Sequence, residues 1–205
     1  MKTIAILSQK GGAGKTTLAI NLAVAASKFK KQSAIIDLDP QSSATTWHDG
    51  RDLDTPVVVS AQASRLQMVI DAAKDAGADI IFIDTAPHSE SASLAAARIA
   101  DFVLIPCRPA ILDLRAIGNT IDITKIAVTK AAVVLTCVPA RGTLAQEAKE
   151  AVSTYNITLC PSQIGQRAAF VHSITEGQSV HEYEPNGKAV EEVNSLYKWL
   201  IKQLK

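Results

Sequence analysis

The chain has 205 residues, 47% of them hydrophobic but only 4% aromatic, and a net charge of +1. That length supports one ordinary domain with a substantial aliphatic core, and it excludes a disordered or fibrous chain. A charge so near zero excludes an overall positive field, so affinity for any polyanion must come from a local basic patch. The first apolar run, residues 3–8, reads as a strand rather than a charged-then-apolar leader. No apolar run reaches transmembrane length, so the expectation is a cytoplasmic protein with no membrane partner.

Directly after that strand stands Ser8-Gln9-Lys10-Gly11-Gly12-Ala13-Gly14-Lys15-Thr16-Thr17, followed by a helix-patterned run from Leu18 to Phe29. Strand, glycine-rich loop and helix form the context that a phosphate-binding loop needs. The glycines let backbone N–H groups turn inward around a polyphosphate, and the helix start adds its partial positive charge. In such a loop Lys15 reaches the terminal phosphates and the Thr16 hydroxyl sits on Mg²⁺. The usual signature opens on glycine; here Gln9 takes that place, with a second lysine, Lys10, behind it. The expected ligand is a nucleoside triphosphate.

Further along, strands are expected near 33–37, 56–60, 79–84, 102–106 and 132–137, with a short one near 157–160. Helical spacing is expected over 63–76, 91–100, 112–128 and 143–155. Ile80–Ile83 and Val103–Ile105 are apolar on both faces, which predicts a parallel sheet covered by helices on each side. The fold class is therefore a doubly wound α/β domain over residues 1–205, with ligands at the carboxyl ends of its strands. Asp37 and Asp39 close the second strand, and Asp84 closes an apolar one. A carboxylate there is costly unless it meets a cation or hydrogen-bond donors, so Asp84 is expected to hold Mg²⁺ through water. The strand ending Leu135-Thr136-Cys137-Val138-Pro139 lacks the Asn-Lys-x-Asp tetrad of guanine-specific enzymes, which favours ATP. Adenine contacts are expected from Thr136–Pro139 and from the Pro106–Pro109 loop. Cys107, Cys137 and Cys160 have no paired spacing and read as buried free thiols. Near the end, Val190, Val193, Leu196, Tyr197, Leu200, Ile201 and Leu204 fall on one helical face, read as core packing rather than a membrane anchor.

Lys10 through Thr17 resembles the deviant Walker A motif of the ParA/MinD ATPases. Asp37-Leu38-Asp39-Pro40-Gln41 resembles their second acidic box, and Ile80 through Pro87 their Walker B strand. Gln166-Arg167 and Gly177 through Val180 look like the C-terminal part of short ParA proteins. The resemblance implies that Lys10, Gly11, Gly12, Ala13, Gly14, Lys15, Thr16 and Thr17 bind ATP, and that Thr16, Asp37 and Asp84 hold Mg²⁺ directly or through water. It further implies catalytic roles for Lys15, for Lys10 reaching across a face-to-face homodimer, and for Asp39 positioning the attacking water. It implies nonspecific double-stranded DNA binding by the ATP-bound dimer, with Arg167 the first candidate and Lys198 and Lys202 next. A ParB-like adaptor would stimulate hydrolysis during plasmid or chromosome partition, and the protein would associate with the nucleoid. No helix-turn-helix segment precedes the first strand, so operator recognition would fall to the adaptor. Three alternatives stay open: a MinD-like membrane-positioning ATPase, the positioning of carboxysomes or chemotaxis clusters, and a biosynthetic ligase of the same superfamily. Lys10 argues against the last.

Overall fold

Alternation along each strand decides which side chains reach which face of the sheet. In β1 (Lys2–Ile6), Ile4 and Ile6 enter one core cluster, while Ala5 and the following Leu7 enter the other. The same period of two divides Ile80 and Phe82 from Ile81 and Ile83 in β4 (Ile80–Asp84). It also divides Phe102 and Leu104 from Val103 and Ile105 in β5 (Phe102–Cys107). Both faces of these strands are buried, so both must be covered. The computed structural model describes residues 1–205.

The remaining strands are β2 (Ser33–Asp37), β3 (Val57–Ser60), β6 (Ala131–Leu135) and β7 (Thr158–Leu159). All seven pair in parallel in the order β3-β2-β4-β1-β5-β6-β7. One face is covered by α1 (Lys15–Lys28), α2 (Ser43–Asp49), α7 (Ala168–Thr175), α8 (Val180–Tyr183) and α9 (Lys188–Gln203). The other is covered by α3 (Leu66–Asp75), α4 (Glu90–Ile99), α5 (Ile111–Ala127) and α6 (Leu144–Ser153). A doubly wound parallel sheet is therefore what the chain forms. The apolar stripe of α9 is part of the core: Val190, Val193, Leu196, Tyr197, Leu200 and Leu204 are all buried. No helix is long and apolar enough to cross a membrane.

Two differences from the expected elements have local causes. Helix α1 begins at Lys15, three residues before the apolar pattern, because Gly14 at φ +91° breaks the chain there. Helices α2, α7 and α8 were not foreseen. Helix α2 buries only Ala44 and Trp47, a single i,i+3 pair, which is too short for a 3.6-residue period to show. Edge strand β3 keeps Val57 51% exposed, since nothing pairs with its outer side.

Candidate nucleotide site

The loop between β1 and α1 is shaped from several directions. Gln9, buried where the usual signature has glycine, donates from its backbone to Thr120 Oγ1 at 3.3 Å and from its side chain to Ser93 Oγ at 3.2 Å. The loop's shoulder is thus tied to α5 and α4. Gly12 at φ +73° and Gly14 at φ +91° occupy the left-handed region, where a side chain would be strained. Between them, the carbonyl of Ala13 accepts from Thr136 Oγ1 at 2.9 Å. The first-turn amides of α1 lack intrahelical acceptors, and Gly14 supplies no side-chain cap, so these donors suit an anion.

Lys15 is buried, and its Nζ donates to the carbonyl of Lys10 at 3.2 Å. Burial lowers its pKa below the ordinary lysine value, against the opposing charges of Asp84 and Asp39. The Thr16 hydroxyl donates to Asp84 Oδ2 at 2.6 Å. Asp84 is 0% exposed, and its other oxygen, Oδ1, has no partner. Burial pushes its pKa up to about 7, with the charges of Asp37 and Asp39 adding to the rise and the Thr16 bond and Lys15 opposing it. The β2–β4 register places Asp37 directly beside Asp84. Asp37 is equally buried but fully engaged: Oδ1 accepts the Asp39 N–H at 3.0 Å, and Oδ2 accepts the Thr45 N–H and hydroxyl, both at 3.1 Å. Asp39 is half-exposed, with Oδ1 accepting the Gln41 N–H at 2.9 Å.

A cavity of about 400 Å³ adjoins the loop, lined by Gly14, Thr17, Thr136, Cys137, Arg167 and Phe170 among others. Thr136 and Cys137, expected to contact adenine, are among its lining residues; the Pro106–Pro109 loop, expected to do the same, is not. Arg108 from that loop turns instead toward the phosphate loop, with Nη1 3.8 Å from where a Cβ on Gly12 would sit. No motif includes Arg108, and only the tertiary fold brings it there. A larger cavity, about 730 Å³, lies on the far side of Asp39 between Pro40, Gln62, Arg65 and Ser89.

The three basic residues expected to bind DNA do not share a surface. Arg167 lies at the 400 Å³ cavity and is held by Glu192, Nε to Oε2 at 3.0 Å and Nη2 to Oε1 at 2.6 Å. That pairing raises its pKa and engages the guanidinium through Nε and Nη2. Lys198 and Lys202 are exposed at the opposite, amino end of the sheet. There Phe29 stacks on Tyr197 at 5.0 Å, and Lys198 Nζ lies 5.7 Å from the Phe29 ring centre. The lysines Lys28, Lys30 and Lys31 around Phe29 therefore adjoin the end of α9.

Residues 4–180 match the CobQ/CobB/MinD/ParA nucleotide binding domain. The chain belongs to this family. Among curated relatives, Maintenance of carboxysome distribution protein A from Gloeobacter kilaueensis is 31% identical, covering 99% of this chain and 94% of its own length. The protein of that name from Halothiobacillus neapolitanus is 27% identical over 97% of this chain and 96% of its own. The chromosome-partitioning ATPase Soj of Thermus thermophilus is 31% identical over 52% of this chain and 54% of its own. Among solved structures, MinD from Pyrococcus horikoshii, complexed with Mg-ADP, matches with a TM-score of 0.82 at 18% identity, covering 98% and 96% of the two chains. Cobyrinic acid a,c-diamide synthase from Mycobacterium smegmatis, with ATP analogue and magnesium, matches at 0.79 and 18% identity over 100% and 96%. A septum site-determining protein and a biosynthetic enzyme thus share the fold, and the side chains must separate them.

Proposed function

We propose that the chain is a ParA-type positioning ATPase that binds ATP with Mg²⁺ at the carboxyl edge of the sheet. The observation that carries the reading is the buried Asp84, with one oxygen on Thr16 and the other without a partner. An anionic oxygen in that setting is a poor structural group but a good support for a hydrated cation. Thr16 and Asp84 would hold the metal, which when bound supplies charge neutralisation across the phosphate oxygens. Gly11 through Thr17 cradle the phosphates with backbone donors. Lys15 leaves the Lys10 carbonyl for the terminal phosphates, Asp39 orients water, and Thr136 with Cys137 lines the base cavity.

Lys10 gives the reading its dimer. Lys15 would serve the phosphates bound by its own chain, and Lys10, half-buried in the same loop, would then serve those of a second copy. The ATP-bound homodimer would bind arbitrary duplex DNA, and a partner protein on the cargo would stimulate hydrolysis and release. For the cargo, the carboxysome distribution relatives support a large protein body, because they align end to end. Partition of a plasmid or chromosome is the second reading, supported by the shorter match to Soj.

The test compares the two lysines. Lys15→Ala should abolish ATP binding. Lys10→Ala should keep it within about threefold, yet lose ATP-induced dimerisation and roughly 10³-fold of stimulated turnover. Light scattering with ATP and Mg²⁺ reads the dimer. A stable dimer with normal stimulated turnover in Lys10→Ala would remove the reading.

A further inference from the structure

Two buried carboxylates stand side by side at the end of the sheet, and their surroundings differ. Asp84 keeps one oxygen without a partner. Asp37 keeps none: one oxygen accepts from residue 39 and the other twice from residue 45. The first of these bonds is an Asx-turn, and Asp39 makes a second one onto Gln41, so the backbone from 37 to 41 is fixed by two successive side-chain bonds. The bonds to Thr45 close the loop from its other end. Helix α2 begins after Ser42, which sits at φ +51° and makes no side-chain cap bond. The third amide of the helix, that of Thr45, is satisfied by Asp37 from the neighbouring strand instead.

We propose that Asp37 and Thr45 form a latch that fixes the Asp39 loop, with Asp37 acting as a positioning residue rather than as a holder of the metal's water shell. The latch sets the backbone from which the Asp39 carboxylate projects, and it holds α2 in the same act. A group that orients water must be placed to within about half an ångström, and loops reach that only when supporting bonds hold them. Thr45 supplies the only side-chain hydroxyl on Asp37, so the latch predicts a role for a residue that touches no ligand. The inference rests on the ATPase reading for its effect on turnover but not for the latch itself.

The experiment has two independent readouts. Thr45→Val keeps volume and backbone N–H but removes the hydroxyl; Thr45→Ser keeps the hydroxyl. In the ligand-free protein, amide hydrogen exchange at Asp39 and Thr45 should quicken by about tenfold in Thr45→Val and in Asp37→Asn, and stay near wild type in Thr45→Ser. In turnover with saturating ATP, Thr45→Val should lose roughly five- to tenfold in kcat, with nucleotide affinity and its Mg²⁺ requirement within twofold of wild type. Thr45→Ser should restore kcat. Unchanged exchange in both Thr45→Val and Asp37→Asn overturns the latch. Unchanged kcat in Thr45→Val despite faster exchange overturns the positioning role. A tenfold rise in the Mg²⁺ needed by Asp37→Asn, with its amides still protected, returns Asp37 to the metal. If the wild-type protein hydrolysed no ATP, the proposed function would fail while the exchange result still judged the latch.

Discussion

At the scale of single residues, Asp84 sets stability against function. Its folded-state pKa of about 7 lies above the unfolded carboxylate value, so the folded ligand-free protein binds the proton more tightly. The contribution of Asp84 is therefore most favourable at low pH. It is lost as pH rises from about 4 through 7, to a penalty of at most about 4 kcal/mol once the group ionises. Asp84→Asn should raise the stability of the ligand-free protein at pH 8 by roughly 1–2 kcal/mol, as removal of a strained functional group commonly does. The same variant should lose Mg²⁺-dependent nucleotide affinity. Thermal melts with and without Mg-ATP measure both effects, and a variant less stable than wild type at pH 8 would show that the carboxylate carries no such penalty.

At the scale of elements, the strands announced themselves, and the contacts between elements did not. Ile80–Ile83 and Val103–Ile105 are apolar on both faces, and that alone requires a covered parallel sheet. The phosphate loop was legible because its glycines and lysine stand together in the chain. Thr45 and Arg108 were not, since neither belongs to a motif and each acquires its neighbours through folding. The partner of Arg167 was equally illegible, because a sequence does not reveal the carboxylate opposite; Glu192, 25 residues away, holds it. Helix α8 carries a comparable hidden contact, in which buried His181 bonds Asn194 Oδ1 at 2.9 Å and its Nδ1 has no partner. Burial lowers its pKa first, with Lys28 adding to the effect and the Asn194 bond opposing it. Its contribution is therefore fully present above the unfolded histidine value of about 6.5 and is lost as pH falls below it toward the folded pKa. His181→Gln should flatten the stability profile below the unfolded histidine value of about 6.5. Urea titrations at several pH values would read it, and an unchanged slope would assign the acid sensitivity elsewhere.

At the scale of the molecule, the basic end and the nucleotide end lie at opposite edges of the sheet. Lys28, Lys30, Lys31, Lys198, Lys202 and Lys205 gather at the former, where Asp79 pairs only with Lys31, at 3.2 Å. A patch complete within one protomer does not need a nucleotide to assemble it. Joining two protomers would double the patch, and the gain would come from effective concentration. Lys30→Glu with Lys202→Glu should therefore weaken binding to any duplex. The variant should also lower the salt slope by about one per lysine removed, with ATP-induced dimerisation intact. Arg167→Ala should change DNA affinity far less. Anisotropy titrations across salt concentrations measure this, and an unaltered slope in the lysine variant would move the DNA surface elsewhere.

The phosphate loop lies near the N-terminus, yet its shape is held by residues made much later. Gln9 bonds Ser93 and Thr120, and Ala13 bonds Thr136, 84, 111 and 123 positions downstream. Strand β1, which carries the loop, is itself wedged between β4 and β5. During synthesis the motif thus leaves the ribosome early as a string of glycines without its form. A growing chain should therefore gain nucleotide affinity only once Thr136, about two-thirds of the way along, has emerged. Messages truncated before β6 would yield fragments that carry the full signature and none of its affinity.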